Sequence, residues 1–308
     1  MALPTPDTPG TDAPFGSEDS GVAPAFSRRD PAFGPGAVGT SNLALEFSAG
    51  YLRLAVVDAQ QTTRRWVEEF SLSGTHPDEP SLHDVRHLMS SHGVLTRNFW
   101  NSVRVLVNNQ SFTLVPEVLF RKEYAVRYLE LARGTSLTAE KVHFTRHPGW
   151  QAVLVFSLPT RLDDYLQGVY PFDGLRFYHQ MDGLLSLVQE GRPPTGKHLV
   201  MALETSSVSL ILVEENQLAY VNRFACGTPN DLVYYVLFAL NELGLSPADV
   251  SAHAWGQLEE GDERYQLLSK YLPDFQIGSL PSPVPLTGAF ADLPTHRFAA
   301  LLRVAGFR

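Results

Sequence analysis

Residues 42–58 read Asn-Leu-Ala-Leu-Glu-Phe-Ser-Ala-Gly-Tyr-Leu-Arg-Leu-Ala-Val-Val-Asp, and residues 198–214 read His-Leu-Val-Met-Ala-Leu-Glu-Thr-Ser-Ser-Val-Ser-Leu-Ile-Leu-Val-Glu. Each is an apolar run closing on a glutamate, then a short turn and a second apolar run, which is the pattern of a hairpin. A polar break and a third apolar stretch follow in both places, at Arg65–Leu72 and Leu218–Phe224. Next comes a helical period. In the first half Leu82, Val85, Leu88 and Met89 carry it; in the second, Asp231–Leu243 lies between Thr228-Pro229 and Gly244. Short buried strands at Val103–Val107 and Val250–Trp255 complete each set.

A three-strand meander followed by helix, strand, helix, strand is the order of a ribonuclease-H-like unit. Two such units in tandem predict an α/β, actin-like, two-lobed architecture, each lobe a mixed sheet with flanking helices. The expected boundaries are a disordered Pro/Gly-rich tail at 1–41, a first lobe with inserted elements at 42–194, and a second lobe at 195–280. A Pro-rich loop and terminal helix follow at 281–308. The tail expectation rests on composition, since such a stretch buries too little apolar surface to offset its ordering entropy.

The chain has 308 residues, with 24 Lys+Arg against 33 Asp+Glu and a net charge of −9. An acidic chain lacks the basic face that phosphate neutralisation needs, so no nucleic-acid partner is expected. One cysteine, Cys226, excludes an intrachain disulfide and thiolate-rich zinc sites. A cytoplasmic setting fits, and no apolar run approaches the roughly 18 residues of a membrane span.

In an actin-like architecture the nucleotide lies between the lobes, and each opening hairpin supplies a phosphate loop. An acid at the end of strand one positions Mg²⁺, and a glycine lets backbone N–H groups approach phosphate. The candidate residues for such a cleft are therefore Glu46, Ser48 and Gly50 in the first turn, Glu204 and Ser206 in the second, and Gly256 after the fourth strand. Neither turn carries Asp-x-Gly, and Phe47 and Thr205 are expected near the phosphate path. Plain hairpin turns are the other reading.

Further residues carry a family resemblance. Asn216-x-Leu218, Asn222-x-Phe224, Asp231, Tyr234-Tyr235-x-Leu237-Phe238, Trp255-Gly256 and Gly261-Asp262-Glu263 fall in order, as do Phe112-Thr113-Leu114-Val115-Pro116-x-x-Leu119-Phe120. Over roughly residues 42–300 the chain resembles the bacterial domain-of-unknown-function family three-eight-two-two. The resemblance implies an actin-like fold nearer to the proteins of pilus and secretion platforms than to sugar kinases. It supplies no catalytic residue.

Other motifs have plain explanations. Gly191-Arg-Pro-Pro-Thr-Gly196-Lys197-His198 approaches a phosphate-binding loop, but two prolines remove donors and His198 replaces the Mg²⁺-binding hydroxyl. His83 and His87, with His76 and His92 nearby, read as a solvated helix face; Glu259, Glu260, Asp262 and Glu263, and Asp163-Asp164, read as helix starts. Cys226 reads as a buried small residue, and Tyr234, Leu237 and Phe238 as core.

The expected role is a non-catalytic actin-like protein, a pseudo-ATPase without cofactor, acting on a protein partner or as an assembly scaffold. The alternative is an ATP-binding phosphotransferase or ATPase using MgATP, with Glu46 or Glu204 serving Mg²⁺. A ribonuclease-H-like nuclease is weaker still, because two-metal chemistry needs more clustered acids than these turns offer.

Overall fold

The computed structural model describes residues 22–60, 63–73, 79–97, 99–191, 195–279 and 288–307. The first lobe opens with β1 (Phe26–Arg29), β2 (Ser41–Phe47), β3 (Tyr51–Asp58), β4 (Arg64–Ser71), α1 (Leu82–Ser91) and β5 (Ser102–Val107). An inserted module follows: β6 (Phe112–Pro116), α2 (Ala125–Arg133), β7 (Glu140–His147), β8 (Ala152–Pro159) and α3 (Thr160–Val169). The lobe ends with β9 (Leu175–His179) and α4 (Gln180–Gly191). The second lobe holds β10 (Lys197–Leu203), β11 (Ser207–Glu214), β12 (Gln217–Ala225), α5 (Pro229–Glu242), β13 (Ser251–Gly256), α6 (Glu263–Tyr271) and β14 (Phe275–Ile277). The last helix, α7, spans Ala299–Ala305.

The duplication is visible in the strand order. The first sheet runs β1-β4-β3-β2-β5-β9 and the second β12-β11-β10-β13-β14. Leaving out β1, both run third, second, first, fourth, fifth. In both, the first three strands are antiparallel and the last three parallel. The module's strands form a separate sheet, β6-β8-β7.

Every residue of β2 is buried because its sheet is covered on both faces. Leu43, Leu45, Leu54 and Val56 pack with Val85 and Leu88 of α1. Ala44, Ala55 and Val67 face Phe298, Leu301 and Val304 at the C-terminus. The first cluster continues across the lobes, through Leu184 and Leu187 of α4 to Val200, Ile211 and Trp255. The far face of the second sheet packs under α5 and α6, with Leu232, Val236, Leu240 and Leu268.

The unstructured tail expected to residue 41 needs correction. β1 pairs with the edge of β4, with Arg29 opposite Trp66, and Phe33 is buried edge-on against Trp66. Average composition concealed three anchors, Phe26, Phe33 and Val38, set among turn-forming residues. Residues 1–21 lie outside the described residues. Between β6 and α2 the chain makes two short 3-10 turns, Glu117–Leu119 and Lys122–Tyr124, so the helix starts only at Ala125.

α4 and α7 meet closely. A Cβ on Gly183 would lie 2.6 Å from the Ala300 carbonyl oxygen and 2.8 Å from its Cα. We expect Gly183→Ala to lower stability by about 1–3 kcal/mol through overpacking, although alanine is the better helix former. Equilibrium urea unfolding is the check.

Candidate functional site

The hairpin register sets the site. Glu46 on β2 lies opposite Arg53 on β3, and Arg53 opposite Glu69 on β4, so three charges line up across three strands. Arg53 Nε donates to Glu69 Oε2 at 2.6 Å. Its Nη1 lies 3.4 Å from Glu46 Oε2 and 3.6 Å from Glu204 Oε1. Gln180, the first residue of α4, donates through Nε2 to Glu46 Oε1 at 2.9 Å and to Glu204 Oε1 at 2.7 Å. The two glutamates that end the first strand of each lobe are thus joined by one guanidinium and one amide.

A polar network surrounds this junction. The Arg53 guanidinium lies 3.9 Å from the centre of the Tyr51 ring. The Tyr51 hydroxyl donates to Glu46 at 3.4 Å and accepts from Asn108 Nδ2 at 2.6 Å. Asn108 Oδ1 accepts from Arg223 of β12, which also donates to Ser207 Oγ at 2.8 Å. Arg297, just before α7, donates to Glu69 Oε1 at 2.5 Å. Both lobes and the C-terminal segment therefore meet at one cluster.

Burial governs its electrostatics. Arg53 is 1% exposed. Burial lifts the Glu46 carboxyl to about 7 against the pull of Arg53, with the Glu204 charge adding to the rise. Burial also raises Glu69, but Arg53 and Arg297 outweigh it and hold the group below the usual carboxylate range. Burial lowers Arg53, yet Tyr51 and the three glutamates keep it well above its ordinary value.

Little room remains between the lobes. The space bounded by Glu46, Arg53, Gln180, Glu204 and Gly256 is about 10 Å³, roughly the volume of one water position. Arg53 Nη2, Gln180 Oε1 and Glu204 Oε2 are buried without a protein partner. Gly256 has φ +92°, and any Cβ there would collide with the Leu203 carbonyl of β10, so glycine is required for the strand contact itself. Its N–H donates to the His296 carbonyl at 2.9 Å. The C-terminal segment thus lies directly against the candidate cleft residue Gly256.

Of the six candidate residues, the structure brings together Glu46, Glu204 and Gly256. Ser48 and Gly50 form the turn closed by Ser48 N–H to the Tyr51 carbonyl, and Gly50 has nothing within 4 Å of a built Cβ. Ser206 is exposed, its carbonyl accepting from Cys226 N–H. Phe47 and Thr205 were expected near the phosphate path. Instead Phe47 sits in the core, and exposed Thr205 bonds Gln257 Oε1 at 2.8 Å.

A larger space of about 380 Å³ lies on the second lobe beside Thr205, Ser207, Thr228 and Gln257. It sits near the starts of α5 and α6, where free N–H groups would attract an anion. Both starts are already capped, α5 by the Thr228 hydroxyl, which accepts from Asp231 N–H at 3.2 Å, and α6 by Asp262. Asp231 accepts from the N–H groups of Gly227 and Thr228 at 3.0 and 2.8 Å. Asp262 accepts from those of Tyr265 and Glu259 at 2.6 and 3.3 Å. Arg264 is turned onto the Glu204 and Gln257 carbonyls.

Other sequence candidates sort out as follows. His83 and His87 are exposed, but His92 is buried and bonds Glu68 Oε2 at 3.0 Å, so it leaves the expected solvated face. His76 lies outside the described residues, as do residues 192–194 of the phosphate-loop look-alike. Asp163 is fully buried, holding His143 at 2.8 Å and Lys141 at 2.7 Å, and does more than start a helix. Cys226 is buried, which pushes its thiol up to about 11. Tyr234 and Phe238 are 61% and 42% exposed, not core. The buried stripe of α5 is instead Leu232, Val233, Val236, Ala239 and Leu240. Among the described residues, no group of three or more His, Cys, Asp or Glu side chains is placed to hold a metal ion, and no helix is long and apolar enough to cross a membrane.

Sequence reasoning missed Arg53, Glu69, Gln180 and Arg297. A signal existed for Arg53: a lone charge in an apolar strand, placed by the tight turn opposite Glu46.

The matched strand orders, the inserted module and the interlobe junction define an actin-like fold. A Bacteroides thetaiotaomicron protein with an actin-like ATPase fold and unknown function superposes with a TM-score of 0.70 at 18% identity, covering 78% of this chain and 91% of that one. The PilM–PilN complex of type IV pilus biogenesis superposes with a TM-score of 0.53 at 16% identity, covering 86% and 97%. The chain belongs to the family described as Protein of unknown function (DUF3822), whose model matches residues 31–275. A search of curated protein sequences found no match.

Two outcomes test the cluster. Arg53→Met leaves buried carboxylates without a counter-charge, and we expect a loss of about 3–5 kcal/mol in urea unfolding. The Glu46 carboxyl is raised in the folded state, so from its ordinary value near 4.5 up to about 7 the folded protein holds this proton more tightly. This group's contribution therefore falls as pH rises through that window and stays low above it. Glu46→Gln should gain stability relative to the parent across the same window, measured as the difference in melting temperature at each pH.

Proposed function

We propose that this protein is a non-catalytic actin-like protein, a pseudo-ATPase, that works by binding another protein as an assembly scaffold. One observation carries the reading: the space between the two strand-end glutamates is filled by Arg53, Gln180 and the C-terminal segment, leaving about 10 Å³. A nucleoside triphosphate needs a pocket of about 300 Å³ or more. Entry would require Arg53 to leave three carboxylates, and Gly256 to part from His296.

Two further features support a partner. The similar fold in the PilM–PilN structure is part of a protein–protein complex. Exposed apolar side chains are also frequent here. Tyr234 and Phe238 stack with ring centres 6.0 Å apart on the outside of α5, and Val118, Leu119 and Leu131 are exposed on the inserted module.

The phosphotransferase alternative keeps Glu46 and Glu204 as Mg²⁺-positioning acids and needs the lobes to part. A thermal-shift titration with MgATP separates the readings. No change in melting temperature is expected at millimolar MgATP. Binding at 100 times the dissociation constant would add about 2.7 kcal/mol, a rise of about 5–10 °C for a chain of this size, and would overturn the scaffold reading.

A further inference from the structure

A groove of about 920 Å³ lies between the inserted module and the second lobe, and Arg223 of the network around the junction lines one end of it. One wall is β6, which contributes Phe112, Thr113, Leu114, Val115 and Pro116. The other is β12, which contributes every residue from Leu218 to Arg223. Successive strand residues point to opposite faces. A wall built from an unbroken run of them is therefore a strand seen edge-on.

Both strands are edges. β6 ends the sheet β6-β8-β7, and β12 ends the sheet β12-β11-β10-β13-β14. Among the described residues each pairs with a strand on one side only, so rows of backbone N–H and C=O groups from two different sheets look into one gap. Edge strands are usually guarded by lysine, proline or shortness. β12 is nine residues long, with neither Lys nor Pro. The partly buried side chains of Phe112, Leu114, Leu218 and Val221 pack against the core along these walls.

Resting on the interaction reading above, we propose that this groove binds an extended segment of a partner protein by adding it as a strand to the β12 edge, beside β6. The segment has apolar residues at alternate positions, no proline in its centre, and basic residues at its ends. At about 3.3 Å rise, 4.8 Å strand spacing and 10 Å sheet depth, one extended residue fills about 160 Å³, so the groove accommodates about six. Backbone pairing supplies the affinity and alternate side chains the selectivity. The basic flanks are favoured at long range by the net charge of −9, since inside the groove Glu79 and Glu140 balance Arg133 and Arg223 and leave the charge selection to its approaches.

Two other occupants fit less well. The edge of a second folded copy would bring its own sheet and helices, too wide for a gap walled on both sides. The chain's own residues 1–21 carry Pro4, Pro6, Pro9 and Pro14 and no alternating apolar run. Proline cannot donate to a ladder.

The test pans random-sequence peptides displayed on phage against the full chain. Enriched peptides are then synthesised and mapped by amide hydrogen exchange. The expected result is enrichment of alternating, proline-free sequences with Lys or Arg at the ends, and slowed exchange at residues 112–116 and 218–223. Lysine at the exposed Ala219 position or at Thr113 (Ala219→Lys, Thr113→Lys) should weaken binding by at least about tenfold, because an edge lysine blocks pairing, with the melting temperature kept. No enrichment, or binding unchanged in both variants, overturns the proposal. Peptides that map to Tyr234 and Phe238 also overturn it while leaving the interaction reading intact. MgATP binding by the same preparation would instead remove that reading.

Discussion

A guanidinium taken out of water must be answered by charge, and Arg53 is answered from every side of the junction. Glu46 and Glu69 come from its own sheet, and Glu204 from the other lobe. Gln180 spans the two glutamates that end the paired first strands. Burial costs several kcal/mol per ion, and only good geometry and further hydrogen bonds offset it. Arg53 therefore ties the lobes together in one arrangement: moving them apart would strand at least one charge without its partner.

The apolar packing points the same way. One cluster runs from α1 through both sheets by way of α4 and ends at Trp255. α7 leaves the second lobe to cover the first sheet, and Gly183 lets it approach α4 at backbone distance. Gly256 then holds His296 against β13. His296, Arg297, Ala299 and Ala300 of the C-terminal segment line the small space left at the junction. The helix starts on the second lobe are likewise occupied, since Asp231 and Asp262 supply the negative charge that a bound anion would bring.

Much of the architecture was legible because it rests on local pattern. Strand alternation, the Thr228 cap and the doubled order of elements each leave a period or a turn signal in the chain. Glu46 and Glu204 were legible as strand-end acids. Their partners were less so, because a buried charge is defined by what surrounds it. Arg53 was within reach of the hairpin register. Glu69 required counting across a bulge between Val56 and Val57. Gln180 lies 134 residues from Glu46, and Arg297 lies 228 from Glu69; no local pattern announces either. The error on α5 was of another kind. Tyr234 and Phe238 are large and spaced like a buried stripe, but the true stripe runs through Leu232, Val236 and Leu240 beside them.

The most direct measurement is solvent exchange of the Arg53 side-chain Nε–H, followed by nitrogen-15 NMR with and without MgATP. A closed junction gives a slowly exchanging signal that MgATP leaves unmoved. A signal exchanging as fast as an exposed arginine, or one that shifts when MgATP is added, would mean that the lobes part and the site between them is open.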